Sequence, residues 1–132
     1  MKSRQSGFTM IELIVVIVVL GILAATALPK FIDLGSDAKT AALAGVVGAA
    51  GSAMAINYSG CAVVNNVPTA NKCVAIQNCN EVGTIMQGGM PDGYTVTANE
   101  ISTTANGVED NCTITQTSTS ATGTFKGLSA GI

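Results

Sequence analysis

Apolar residues are concentrated in one run near the N-terminus, Met10–Leu28, which only Glu12, Gly21 and Thr26 interrupt. The run is 19 residues long, close to the roughly 20 residues with which a helix crosses the core of a bilayer. The segment before it, residues 1–7, is short, polar and basic. The pattern predicts a transmembrane helix whose basic N-terminal side stays in the cytoplasm, with the rest of the chain outside.

A helical pattern continues beyond this run. From Lys30 to Asn57 the chain has no proline, is rich in alanine and carries apolar residues at helical spacing. Pro29, at the junction, should kink or loosen the helix, because proline donates no backbone hydrogen bond and clashes with the preceding turn. The string Asn57–Gly60 is typical of a helix end. We therefore expect one helix from Phe8 to Tyr58, on the order of 75 Å long at 1.5 Å per residue.

Glycines recur every three residues in the second half of this helix, at Gly45, Gly48 and Gly51. Glycine weakens an isolated helix but lets another element approach its backbone closely. Packing under a sheet and contact with another subunit both explain the spacing. We favour packing under a sheet slightly.

After residue 59 the chain becomes polar and rich in Thr, Ser, Asn and Gly. Alternating patterns predict strands at Tyr94–Ala98 and Cys112–Thr115, and a last strand at Gly123–Gly127. Asn106–Gly107 is a favourable tight-turn pair between the first two strands. The fold class is therefore α+β, with a long N-terminal helix packed under a small antiparallel β head.

Composition excludes several classes of function. The net charge is −2, and without residues 1–7 the chain has four basic against eight acidic side chains, so no specific nucleic acid partner is expected. The chain has no histidine, the commonest general base. The polar half shows no catalytic spacing of acidic or basic residues. We expect a structural protein, not an enzyme, with no cofactor and no metal site.

Four cysteines, all in the polar half, form an even set that indicates two disulfides and an oxidising compartment. Sequence alone leaves three connectivities open. We favour Cys61–Cys73, which closes a short turn-rich loop after the helix, together with Cys79–Cys112, which encloses the predicted hairpin. The pairing Cys61–Cys79 with Cys73–Cys112 is a physically reasonable alternative.

The string Gly7-Phe8-Thr9-Met10-Ile11-Glu12-Leu13 resembles the class III leader junction of type IV pilins and related pseudopilins. In that family a prepilin peptidase cuts after the glycine, here Gly7, and methylates the new N-terminal amine, here on Phe8. A glutamate follows four residues after the cut, here Glu12. The resemblance covers roughly residues 1–58, and Phe31–Gly51 is similar to pilins of mannose-sensitive haemagglutinin type. A disulfide closing the C-terminal part of the head also resembles the family.

Glu12 lies one turn inside the apolar run, where an ionisable residue is costly and indicates a function. The candidate cation is the amine that cleavage would free on Phe8. Positions four apart are neighbours on a helix, so the pair could form within one subunit. It could also form between subunits and bring a new subunit into register. The alternative is that Glu12 lies at the headgroups and has no role.

The resemblance implies three segments: a removed leader at residues 1–7, a helix at 8–58 that spans the membrane at 10–28 before assembly, and a β head at 59–132. It implies a subunit of a type IV pilus, an extracellular filament for adhesion or motility. The implied partners are identical subunits in a helical homopolymer, the prepilin peptidase, the pilus assembly machinery and, for the precursor, the inner membrane. Glu12 and Pro29 are the expected assembly residues.

Two other functions stay open at this stage. A pseudopilin of a type II secretion system would share the N-terminal features, although two disulfides favour an exposed pilus. A secreted soluble domain would require cleavage of a signal peptide near Ala25–Ala27. Against it, Glu12 interrupts the apolar run, which is also longer than the usual core of about 15 residues.

Overall fold

The computed structural model describes residues 6–132, except for the side chain of Ile32. Lys2 and Arg4, the basic residues of the expected leader, lie outside the described residues. One long helix is followed by a short 3₁₀ helix and three strands, which gives the predicted α+β class. The elements are α1 (Met10–Val63), the 3₁₀ helix Cys79–Thr84, β1 (Tyr94–Val96), β2 (Glu109–Gln116) and β3 (Ala121–Leu128).

The chain divides into two compact units, Met1–Ala38 and Lys39–Ile132, and α1 contributes to both. In the described part of the first unit the large apolar side chains are exposed. Within residues 6–132, α1 is the one helix whose length and composition suit a membrane span, and none of its most apolar 18-residue window is buried. The apolar surface of this unit therefore has no partner within the described chain.

The C-terminal end of α1 lies beyond the predicted end at Tyr58, since the helix continues to Val63. Gly60, which suggested a helix stop, is instead a point of close approach: a Cβ there would overlap the carbonyl oxygen of Lys72. The helix ends where Asn65 and Asn66 adopt left-handed conformations, with φ of 55° and 58°. Asparagine tolerates this conformation better than most residues and commonly ends helices.

In the second unit one face of α1 packs against the sheet. Leu43, Ala50 and Met54 repeat at intervals that place them on the same side of a helix, and they share a buried core with Ile114 and Phe125 of the sheet. The compact unit thus begins at Lys39, and the second half of the helix belongs to it. The expected division into a leader at 1–7, a helix at 8–58 and a head at 59–132 stays a prediction.

The three glycines of α1 differ in their surroundings. A Cβ on Gly51 would lie 3.8 Å from the Cβ of Phe125, whereas added Cβ atoms on Gly45 and Gly48 would meet nothing within 4 Å. Packing under the sheet therefore accounts for Gly51. It is wrong for Gly45 and Gly48, which lie on the exposed side of the helix.

The three strands form one antiparallel sheet in the order β1-β2-β3. Thr95 pairs with Thr115, and Cys112 pairs with Phe125. The hairpin turn lies between β2 and β3, where Ser120 has a φ of 57°. The predicted turn at Asn106–Gly107 is present between β1 and β2, with Gly107 at a φ of 78°, although the connection at 97–108 is longer than a tight hairpin. Asn106 also secures the C-terminus, because its side chain donates from Nδ2 to the Ile132 carbonyl oxygen and accepts from the Ile132 N–H at Oδ1.

Covalent and polar contacts hold the second unit together. Disulfides join Cys61 to Cys73 and Cys79 to Cys112, with Cα atoms 4.5 and 5.4 Å apart, which is the pairing favoured from the sequence. Asn57, only 8% exposed, donates from Nδ2 to the carbonyl oxygen of Val74 at 2.8 Å and accepts from the Val74 N–H at 2.9 Å.

Candidate functional site

The segment before α1 carries the expected processing site. Gly7 and Phe8 lie outside regular secondary structure and are exposed, Phe8 by 89%. A Cβ on Gly7 would meet nothing within 4 Å. Folding of the described chain therefore places no steric demand for glycine at position 7. If the position requires glycine, the requirement comes from a protein that binds this segment.

Thr9 and Glu12 form a reciprocal cap at the start of α1. The Thr9 N–H donates to Oε2 of Glu12 at 2.8 Å, and the Glu12 N–H donates to Oγ1 of Thr9 at 3.4 Å. This arrangement is a capping box, which satisfies two backbone donors that the first turn of a helix leaves free. The Glu12 carboxylate thus accepts a hydrogen bond within its own subunit, without any contact to a second subunit.

The sequence analysis missed Thr9 as the hydrogen-bond partner of Glu12. A threonine followed three positions later by glutamate, just before an apolar run, is the sequence signature of a capping box, and Thr9-Met10-Ile11-Glu12 fits it. The signal was present but was interpreted only as part of a cleavage junction.

Apolar side chains surround Glu12. A shallow surface cavity of about 360 Å³ is lined by Glu12 together with Phe8, Ile11, Val15 and Val16. A carboxylate in such surroundings is costly once lipid or protein replaces water, unless hydrogen bonds or a cation accompany it. The capping box supplies one of these hydrogen bonds to the Glu12 carboxylate. A cation could supply a further contact.

A family model for the prokaryotic N-terminal methylation motif matches residues 2–28. The chain is 37% identical over 101 residues to the type IV narrow pilus major component PilA5 of Thermus thermophilus, a match that covers 76% of this chain and 77% of the relative. The chain belongs to the type IV pilin family. No solved structure matches this pilin significantly.

Other relatives match shorter stretches of this pilin. It is 46% identical over 52 residues to the type IV major alpha-pilin of Moraxella bovis, covering 39% of this chain and 33% of that one. It is 42% identical over 53 residues to the type II secretion system core protein G of Pseudomonas aeruginosa, covering 40% and 37%. The shared segment is about as long as the predicted helical part, so it does not by itself separate pilins from secretion proteins.

Pro29, the second expected assembly residue, lies inside α1 of this pilin. Its nitrogen cannot donate to the carbonyl of Ala25, which therefore lacks the usual helical partner. Nearby, the Thr26 hydroxyl donates to the carbonyl oxygen of Leu23 at 3.0 Å. The expected kink or melting at Pro29 concerns the assembled filament and stays a prediction.

Proposed function

We propose that this pilin is made as a membrane-anchored precursor, is cut between Gly7 and Phe8, and polymerises into an extracellular pilus filament. In the precursor, residues 10–28 span the inner membrane with the second unit outside the cytoplasm. The partners in this scheme are the prepilin peptidase, the assembly machinery and further copies of the same chain. The function is structural, and adhesion or motility of the cell is the role that the filament would serve.

The observation that best supports this proposal is the exposed apolar surface of the first unit. The fraction of each side chain that is exposed ranges from 48% at Val19 to 71% at Ile11 among the large aliphatic residues from Ile11 to Leu28. So much apolar surface cannot stay in water. Lipid covers it before assembly, and neighbouring copies of the same helix cover it in a filament.

Glu12 gives this polymer a means of fixing the register. Cleavage after Gly7 would turn the amide nitrogen of Phe8 into an amine, one residue before Thr9 of the cap. A positive amine next to an apolar helix surface needs an anion, and the Glu12 carboxylate of a neighbouring subunit supplies one. Glu12→Leu should therefore leave the subunit stable in the membrane and reduce filament growth.

A pseudopilin of a secretion system is the second candidate, supported by the similarity to core protein G over 40% of the chain. The relative matched over three quarters of its length is a pilus component. Electron microscopy of cells with and without the gene separates the two, because a pilin predicts abundant surface filaments that vanish with the gene.

Processing is tested by intact-mass analysis of the mature protein. The expected product lacks residues 1–7 and carries one methyl group on Phe8. Gly7→Ala should retain the leader yet fold normally, because a Cβ at this position meets nothing within 4 Å. A mature N-terminus at Leu28 would instead show that the chain carries a cleaved secretory signal.

A further inference from the structure

A groove in the second unit runs along α1 and has no part in the processing site or the cap described above. Two adjoining cavities of about 320 and 360 Å³ form it and share Ala53, Ile56 and Ile85. One wall is the segment after the 3₁₀ helix, and the other precedes that helix. The remaining lining residues are Ala49, Ser52, Asn57, Asn71, Lys72, Val74, Thr84, Met86 and Gln87.

One part of the groove is mainly apolar, and the other is lined by polar and apolar side chains alike. Ile56 is 72% exposed and Val74 40% exposed, beside the small Ala49 and Ala53 of the helix surface. Small residues let a partner approach the helix backbone closely. Lys72 is the one charged lining residue, and no carboxylate is among the lining residues. The groove therefore suits a partner with an exposed aliphatic side chain next to an acidic group.

Lys72 is held in place by its backbone. Its N–H donates to the carbonyl oxygen of Thr69 at 3.0 Å, and the next residue, Cys73, is tied to Cys61 of α1 by a disulfide. A cation on a fixed backbone loses less conformational entropy when it forms an ion pair. The backbone position from which the Lys72 side chain extends is therefore set by the fold.

The same unit carries a patch of matching chemistry, Val108–Asp110. Val108 is 36% exposed, and its backbone is fixed by hydrogen bonds to Ser129 at both N–H and carbonyl. Glu109 follows it on an exposed position of β2, and Asp110 accepts from Nδ2 of Asn99 at 2.8 Å. Of the large apolar residues exposed in the described second unit, Val108 alone is followed directly by carboxylates. The others are Ile56, Val63, Val67 and Val74.

We infer that the Val108–Asp110 patch of one copy docks in the groove of a second copy, with its carboxylates facing Lys72. The contact joins two different surfaces of the same chain, so it is heterologous and repeats without closing when the rotation is helical. Docking of this kind rests on the proposed filament function. It adds a contact between the disulfide-bearing units to the contacts between apolar helices.

A charge exchange tests the pairing in the full-length protein, produced in its own host without the wild-type gene. Lys72→Glu and Glu109→Lys should each lower the yield of sheared filaments, relative to total subunit, by at least about fivefold, because like charges then face each other. The double variant should return to within about threefold of wild type, because the attraction is restored with its sign reversed. Asp92→Lys, at an exposed carboxylate outside both the patch and the groove, is the matched control and should assemble normally.

The apolar part of the contact has its own test. Ile56→Ser should also lower filament yield, whereas Val63→Ser, at a position on α1 that is 81% exposed but outside the groove, should not. Both changes are to exposed side chains, so little effect on folding is expected. Equal yields from these two variants would contradict a role for the groove.

The outcomes separate this inference from the proposed function. If wild-type protein forms no filaments, the proposed function fails. If wild type forms filaments and Lys72→Glu forms as many, the docking contact is wrong and the filament function stands. Rescue of Lys72→Glu by Asp33→Lys in place of Glu109→Lys would overturn the assignment of the patch, since it would show that the helix of another copy occupies the groove. Asp33 is the weaker candidate because Lys30, three positions before it, offsets its charge.

Discussion

Replacing Asn57 with alanine tests whether the α1 helix of this pilin is clamped to the segment that carries Lys72. The Asn57 amide makes two hydrogen bonds to the backbone of Val74, at 2.8 and 2.9 Å, in the way that a neighbouring strand would. Alanine removes both bonds and leaves the N–H and the carbonyl of Val74 without these partners. The variant therefore removes a contact between elements 17 positions apart in the sequence.

The size of the effect follows from the two bonds. Loss of a partner costs about 1–3 kcal/mol for each buried group, and the 40% exposure of Val74 lets water replace part of the loss. We expect the free energy of unfolding to fall by about 2–4 kcal/mol, which for a domain of this size lowers Tm by roughly 10–20 °C. Asn57 is 8% exposed, so alanine also leaves a small cavity, which lowers the free energy of unfolding further.

Thermal unfolding of the full-length protein in detergent, followed by circular dichroism under non-reducing conditions, measures this change. Ser59→Ala is the matched control, because the Ser59 hydroxyl is exposed and donates only to Ala55 of the same helix, at 2.8 Å. It should change stability by no more than about 0.5 kcal/mol. A decrease in Tm for Asn57→Ala no larger than that for Ser59→Ala would refute the clamp.

Further tests concern the assembly site, the disulfide and Pro29. Glu12→Gln should keep the capping box, in which glutamine can replace glutamate, yet it should block filament growth as measured by the yield of sheared filaments. Thr9→Ala should reduce this yield less, because the charge of Glu12 remains. Serine at both Cys79 and Cys112 should lower the free energy of unfolding by about 3–4 kcal/mol in the chain-entropy model, measured by urea unfolding, and an unchanged midpoint would contradict this role of the disulfide. A filament map by electron microscopy should show a kinked or melted helix at Pro29, and a straight, unbroken helix there would contradict the expectation.

The sequence predicted the elements of this fold better than their contacts. The apolar run, the alanine-rich continuation and the alternating strands each carry a local periodicity, which sets secondary structure directly. The turn at Asn106–Gly107 was encoded locally, whereas the register in which β2 pairs with β1 and with β3 could not be predicted. Register is decided by which side chains reach the core, and that information is not local.

Gly60 is a position at which local sequence did not predict the structure. Glycine near the end of a helical pattern is normally evidence for a helix end, and here it serves close approach to Lys72 within the helix. A helix end and a close contact within a helix both favour glycine, so a single sequence cannot show which of the two applies. The cap at Thr9 and Glu12, by contrast, was encoded locally and could have been predicted.

The apolar half of α1 determines which interactions could favour the proposed assembly. Its backbone is hydrogen-bonded within the helix apart from the end and Pro29, so the helix can leave a bilayer without exposing peptide groups. Its aliphatic side chains exchange lipid for other aliphatic side chains, and association of this kind gains little from the hydrophobic effect. Glu12 is the one ionisable residue in the run, and in the proposed assembly it alone would gain a charge partner by moving from lipid to a neighbour's amine. In that scheme the direction of transfer and the register of the subunit depend on this carboxylate far more than on the much larger apolar surface around it.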